Sequence, residues 1–505
     1  MKYILTLISA LFAFSAYAQS NFGDIDFEQI KKLQMAQVAI TSLYVDSVDQ
    51  QKLAEDAING MLSKLDPHSS YTNAKETKKI NEPLSGNFEG IGVSFNMVKD
   101  TLLVLQVISK GPCERAGVMA GDRIIAVNGV TIAGVKMDRD SIMTKLRGPK
   151  GTLANLDIVR RGTQGVLHFK VTRDKIPVNT VDAAYMITPT SGYIHLDSFG
   201  TTSGKEVSDK IKELKKQGMK DLILDLGMNG GGYLNAAQEV ASQFLPNGSM
   251  IVYTDGRVMP RQELRSEGEG LMQTEGRIVV LVDEFTASAA EIVSGALQDH
   301  DRGTIIGRRT FGKGLVQRPI DLPDGSMIRL TVSHYYTPSG RCIQKPYVKG
   351  EKKEYEQDLE KRYTRGELTN IDSIHLDSTK VYKTLSKGRT VYGGGGIMPD
   401  IFVPLDTTAY TPYYRALRRY NLINEWTLRY VDENRKVLKR KYRKFQDFED
   451  KFEVPTSLTD SIMAEGKRKK VEPKDDKELQ ATLDDLRFTL KSTIAVSYTH
   501  LTLPT

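Results

Sequence analysis

From Asp174 to about Ile343 the chain alternates short apolar runs with helical stretches, and glycines gather where one gives way to the next. Lys220 to Leu226 reads as a strand, Gly230-Gly231-Gly232 as a loop and Tyr233 to Leu245 as a helix. Arg277 to Asp283 is a second strand, leading through Phe285-Thr286 into a helix over Ala287 to Asp299. Gly303 to Gly307 is a third, followed by a Gly-Lys-Gly loop and strands at 314–320 and 326–336. Such repetition specifies an α/β core, with chemistry expected where the strands end and the loops begin.

At 505 residues the chain has room for about three domains. Before the core, residues 19–82 show helical spacing, as in Leu53, Ala57, Met61 and Leu65, broken by Asp66-Pro67. This helical N-terminal region suits packing or dimerisation. From 83 to 173 the signal switches to strands and turns: Leu102 to Ile108, Asp122 to Val127, the Asn128-Gly129 turn, then Leu153 to Val159 and Val166 to Val171. One helix, Arg139 to Leu146, lies among them.

Within this α+β module, Gly90-Ile91-Gly92-Val93 followed by GPCERAGVMAGDRIIAVNG at 111–129 resembles a PDZ domain of the bacterial protease-associated type. The resemblance implies that Gly90, Ile91, Gly92 and Val93 offer N–H groups to a peptide's C-terminal carboxylate while the peptide adds as a strand to a sheet edge. Glycine suits that loop because it lets the backbone approach an anion closely.

After the core stretch of 174–345, residues 346–390 are charged and turn-rich and read as an insertion, and 391–410 as a return to the core. The run Gly393 to Gly396 lacks the Lys-Ser or Lys-Thr of a phosphate loop and reads as a flexible turn. Residues 411–495 are helical and highly charged, with 20 Lys and Arg against 15 Asp and Glu, so most of the chain's net charge of +7 lies there. A basic cluster at 435–444 reads as a solvated or partner-facing surface. A protein-wide nucleic-acid surface is not expected, because it needs a clustered basic footprint.

The first 18 residues read as a signal peptide: Lys2, an apolar stretch from Ile4 to Phe14, and the small-x-small site Ala16-Tyr17-Ala18. An exported, periplasmic protein is expected, with an uncleaved membrane anchor as the weaker alternative. At the other end Val496 to Thr505 resembles translated adapter sequence, so 496–505 is set apart as a non-native tail. Cys113 and Cys342 are expected as separate thiols, and the seven histidines contain no HExxH pair.

The stretch Asp283-Glu284-Phe285-Thr286-Ala287-Ser288-Ala289-Ala290-Glu291 puts a serine where a strand gives way to a helix. A serine there either caps the helix or serves as a nucleophile, since free N–H groups at a helix start favour negative charge. No G-x-S-x-G elbow is present, and His195 and His300 read as structural. The basic residue that stands out is Lys313, framed by glycines in Thr310-Phe311-Gly312-Lys313-Gly314.

TASAAE…TFGKGLVQ resembles the active-site region of the C-terminal processing (tail-specific) serine peptidases, and LDPHSSY at 65–71, DLGMNGGG at 225–232 and GGIMPD at 395–400 extend the resemblance. Two positions depart from the family's habit: Ala290 stands where Ser is common, and Gly227 where Arg is common. The resemblance implies a crotonase-like α/β protease core with an inserted PDZ domain. It also implies Ser288 as nucleophile, Lys313 as general base and Gln317 as the residue that orients it. A lysine at its reference pKa of about 10.4 is under about 0.1% neutral at pH 7, so this role requires a Lys313 held out of water. Gln317, four positions on, falls on the same strand face. Donors for a tetrahedral oxyanion are expected at Ala289 N–H and in the Gly230-Gly231 turn.

The expectation is an exported Ser-Lys endopeptidase without metal or organic cofactor. Its partners would be protein or peptide substrates with apolar C-termini, a regulatory adaptor, and a second copy through the helical terminal regions. The alternatives are a non-catalytic PDZ scaffold of the cell envelope and, more weakly, an acyl-CoA site in a hydratase-like fold.

Overall fold

A computed structural model describes residues 26–407 and 410–499. The stretch 1–18, expected as a signal peptide, lies outside the described residues, as does the end of the 496–505 tail. Helix Asp476–Thr499 runs on past residue 495, where the sequence pattern breaks off.

Six strands make the central sheet in the order Val181–Met186, Ser191–Leu196, Asp221–Asp225, Ile278–Val282, Gly303–Gly307 and Ile401–Phe402. The first two pair antiparallel and all later neighbours parallel. Parallel neighbours require a crossover between them, here supplied by helices Ser203–Lys216, Leu234–Ser242 and Ala289–Asp299. Alternate strand residues such as Leu222, Leu224, Val280 and Ile305 are buried with Val207, Ile211, Val240 and Val293 from the helices. Every residue of Ala289–Asp299 is buried. Its small side chains (Ala289, Ala290, Gly295, Ala296) let a helix sit with no solvent-facing stripe. That helix starts two residues later than its apolar pattern suggests, because Ser288 occupies the N-cap position.

The second module has a sheet ordered Val93–Val98, Thr101–Val107, Arg123–Val127, Leu153–Val159 and Leu167–Thr172, with helices Pro112–Ala116 and Arg139–Leu146. Its core gathers Leu102, Ile124, Ile142, Leu156 and Cys113. Burial, with help from the Asp122 carboxylate, pushes the Cys113 thiol up to about 12. Cys113 and Cys342 are both free thiols.

The N-terminal helices belong to a separate compact unit that also takes in residues 317–331 and 347–356. By sequence pattern those two segments belong to the core and the insertion; the grouping is long-range and leaves no local trace. In this unit strand Ser70–Thr72 pairs antiparallel with Met327–Arg329. The Asp66 carboxylate closes the preceding turn by accepting from the His68 and Ser69 N–H groups and from the Ser69 and Thr331 hydroxyls. Burial raises its pKa, but those bonds outweigh it and hold the group below the ordinary range. Helix Phe27–Leu43 buries none of its residues.

The remainder of the insertion, charged as it is, carries a buried cation. Arg362, 1% exposed, donates to the carbonyls of Arg309 and Thr310 at 2.5 and 3.1 Å. Just ahead of the insertion Arg341 forms a wholly buried pair with Asp299 at 2.7 Å. Breaking one half of such a pair costs about 3–5 kcal/mol. The C-terminal region is a bundle of five helices, Pro412–Arg419, Leu422–Lys441, Phe445–Lys451, Thr456–Arg468 and Asp476–Thr499, around Tyr413, Leu417, Val431, Phe448, Ile462 and Leu490. Among the described residues no helix is long and apolar enough to cross a membrane.

Candidate active site

Three adjacent parallel strands end at Asp225, Val282 and Gly307, and the loop after each carries one part of the candidate site. These are the glycine turn at 230–232, the Ser288 turn, and the loop bearing Lys313. Their convergence follows from the topology, since parallel strands point the same way.

Ser288 has φ 56° and ψ −116°, a left-handed region that a residue with a side chain enters at a cost of about 1–3 kcal/mol. The turn is over-determined. Thr286 Oγ1 donates to Leu226 O at 2.8 Å, Asp283 accepts from the Phe285 and Thr286 N–H groups, and Ala287 N–H donates to Asn229 O at 2.9 Å. A strained serine at the start of a buried helix is the geometry of a nucleophile elbow, reached here without the G-x-S-x-G sequence.

The glycine turn lies directly against it. A Cβ on Gly231 would fall 2.7 Å from Ser288 Cβ and 3.0 Å from the Ala289 nitrogen, so only glycine fits. Gly231 N–H is already donated to Asn229 Oδ1 at 2.8 Å. Of the three sequence-expected oxyanion donors, that leaves Gly230 and Ala289 with N–H groups not committed to another acceptor among the described residues. Gly231 contributes close approach instead. Asn229 is wholly buried and also donates to Leu196 O at 2.6 Å, which fixes the turn to the sheet.

Glu291 is the residue that sequence reasoning missed. Fully buried, it accepts at Oε2 from the N–H of Ser288 (2.9 Å) and of Lys313 (2.9 Å). At Oε1 it accepts from Gly312 N–H (2.8 Å) and Thr310 Oγ1 (2.5 Å). Burial raises its pKa, opposed by these four bonds. The signal was present: Ser288-x-x-Glu291 is a capping-box spacing. The serine and lysine turns are thus joined at the backbone.

The Lys313 loop is also held from behind. Gly312 carbonyl accepts from Lys345 N–H at 2.9 Å, Gly314 N–H donates to Gln344 Oε1 at 2.8 Å, and the Lys345 ammonium sits 4.2 Å from the Phe311 ring centre while pairing with Asp358. The glycine run at 393–396 packs here as well: a Cβ on Gly312 would lie 3.0 Å from the Gly396 nitrogen. Lys313 itself is half-buried. Tyr335, 1% exposed, donates its hydroxyl to Ser288 O at 3.2 Å.

Gln317 falls in the N-terminal unit, where its Nε2 donates to His68 O at 2.6 Å and the His68 ring meets Tyr355 OH at 2.8 Å. His195 and His300 bond to Asp182 and to Met250 O. At Gly227 the N–H bonds Asp225 Oδ1 at 2.8 Å, and Asp225 also accepts from Tyr193 OH.

In the second module Gly90, Ile91, Gly92 and Val93 line one groove together with Phe88, Phe95, Met143, Leu146 and Arg147. The groove runs beside Val93–Val98, which is the first strand of its sheet and, among the described residues, pairs only with Thr101–Val107. Gly92, at φ 75°, is crowded as well: a Cβ there would lie 3.0 Å from Ile176 Cδ1 and 3.2 Å from Pro112 Cδ.

The profile of peptidase family S41 matches residues 190–352, that of the PDZ domain 90–175, and that of the activating protease CtpB N-terminal domain 13–77. A family of unknown function matches 413–498. The chain is 39% identical over 330 residues to the carboxy-terminal-processing protease of Bartonella bacilliformis, covering 64% of this chain and 72% of that protein. It is 36% identical over 362 residues to the carboxy-terminal processing protease CtpA of Bacillus subtilis, covering 70% and 76%. Among solved structures, the photosystem II D1 C-terminal processing protease aligns over 74% of this chain and 86% of that one, at 25% identity and a TM-score of 0.36.

Proposed function

The chain belongs to peptidase family S41, the serine-type carboxy-terminal processing proteases that carry a PDZ domain. From that premise we propose that it is an exported endopeptidase that takes apolar C-terminal tails of proteins on its PDZ domain and cleaves them with Ser288 and Lys313. Neutral Lys313 takes the Ser288 hydroxyl proton as Oγ attacks the scissile carbonyl. The oxyanion forms against the N–H groups of Ala289 and Gly230, and the resulting ammonium protonates the leaving amine. Lys313 then activates the water that hydrolyses the acyl-enzyme. The leader at 1–18 routes the chain out of the cytoplasm.

The observation that carries this reading is the shared carboxylate: one buried oxygen of Glu291 accepts from the backbones of both Ser288 and Lys313. A helix cap alone has no use for the second tie. The test is cleavage of a partly unfolded, apolar-tailed protein by wild type, Ser288→Ala and Lys313→Ala. Full activity in either variant overturns the mechanism. Amidating the substrate's C-terminus should slow cleavage; no change removes tail capture from the reading.

A further inference from the structure

The C-terminal bundle carries an excess of basic residues, yet it meets the PDZ module through acidic ones. Helix Leu422–Lys441 turns Ile423, Thr427, Val431 and Leu438 into its own bundle. Glu425, Asp432 and Glu433 fall on the opposite side of the helix. Each meets a PDZ cation: Glu425 the Lys99 Nζ at 2.9 Å, Asp432 the Arg123 Nη2 at 2.9 Å, and Glu433 the Arg161 Nη2 at 3.6 Å. The three cations come from separate places in the module, and all three pairs have the same polarity. The central one is sheltered, with the Asp432 side chain 8% exposed and also reached by Arg435. Here the surfaces fit closely, since a Cβ on Gly121 would lie 3.1 Å from Arg435 Nη2 and 3.3 Å from Asp432 Oδ1.

We propose that the C-terminal bundle is a docking platform for this chain's own PDZ domain, holding it by charge with its peptide groove open. A row of carboxylates on the helix facing a set of cations on the module sets register as well as attraction. The groove is built from Gly90–Val93, Phe95, Met143 and Leu146, none of which takes part in the dock. A docked PDZ domain therefore still accepts a tail. Docking keeps that tail at a fixed reach from Ser288; undocking leaves the module on its linkers and lowers the effective concentration of captured substrate. The delivery half of this inference rests on the peptidase reading above, and the docking half does not.

The experiment separates them. In full-length Ser288→Ala protein, hydrogen exchange is followed at the amides around Gly121–Arg123 for the parent, Asp432→Lys, Arg123→Glu and the double swap. Each single change, and 0.5 M against 0.05 M salt, is expected to speed exchange about tenfold, and the swap to restore protection. Single variants that exchange like the parent, or a swap as open as the singles, overturn docking. In the Ser288 background, Asp432→Lys is expected to raise KM at least about threefold for a tailed substrate and to leave an amidated one unchanged. Equal effects on both substrates overturn delivery, whatever the exchange arm reads.

Discussion

The N–H groups of Ser288 and Lys313, on loops from two different strands, donate to the same oxygen of Glu291 at 2.9 Å each. The other oxygen holds Gly312 and Thr310. Four donors around one buried carboxylate make the serine turn and the lysine loop a single body.

Glu291→Gln keeps the volume but replaces one acceptor oxygen by an NH2 group, stranding two donors. It should lower kcat on a tailed substrate about 100-fold, as small misplacements at a reacting centre do. It should also lower stability in urea by about 1–3 kcal/mol per stranded donor. A kcat within a factor of two of wild type would show that the tie is dispensable.

Gly92 sits at φ 75° with Ile176 Cδ1 3.0 Å and Pro112 Cδ 3.2 Å from where a Cβ would go. Gly92→Ala should weaken binding of a tail peptide roughly tenfold by fluorescence anisotropy, with kcat on an amidated short substrate unchanged. Undiminished binding would remove this loop from carboxylate recognition.

How far the sequence leads can be judged at particular residues. The strands around Leu224, Val280 and Ile305 are apolar runs bounded by glycines, and local pattern suffices to find them. Ser288 and Lys313 stand out because their neighbours are small and flexible. Glu291 was hidden in plain view, its capping-box spacing absorbed into the motif around the serine. Arg362 left no signal at all, because a charged stretch reads as solvated until a fold buries it. The grouping of 317–331 with the N-terminal helices depends on pairing across more than 250 positions, as between Ser70 and Arg329, which no window of sequence contains.

Arg362→Met removes two bonds to the chain leading into the Lys313 loop and leaves Glu367 with less positive charge beside it. Two carbonyls lose these donors, so unfolding free energy should drop by about 1–3 kcal/mol for each, measured by chemical denaturation. A change under about 1 kcal/mol would mean that the insertion is an ornament after all.

His195 lies 2.5 Å from Asp182. Burial alone would push its pKa down, but the Asp182 carboxylate, the Gly227 carbonyl and the Asp225 charge outweigh it and raise the imidazole above its ordinary value. A raised histidine adds stability that is fully present below its unfolded pKa of about 6.5 and is lost as pH climbs through the folded value. Asp182→Asn should therefore lower Tm at pH 5.5 and converge on wild type by pH 8.5. A Tm difference that is the same at both pH values would contradict this.

The backbone of Ser288 has an evolutionary consequence. A position held at φ 56° by its surroundings is one where stability and function pull in opposite directions. Ser288→Gly relieves about 1–3 kcal/mol of strain, offset by about 0.5–1 kcal/mol for the looser unfolded chain. The glycine variant should thus melt at or above the temperature of the parent. Stability alone gives no reason to place a side chain at such a backbone conformation, and residue 288 is where the proposed nucleophile stands.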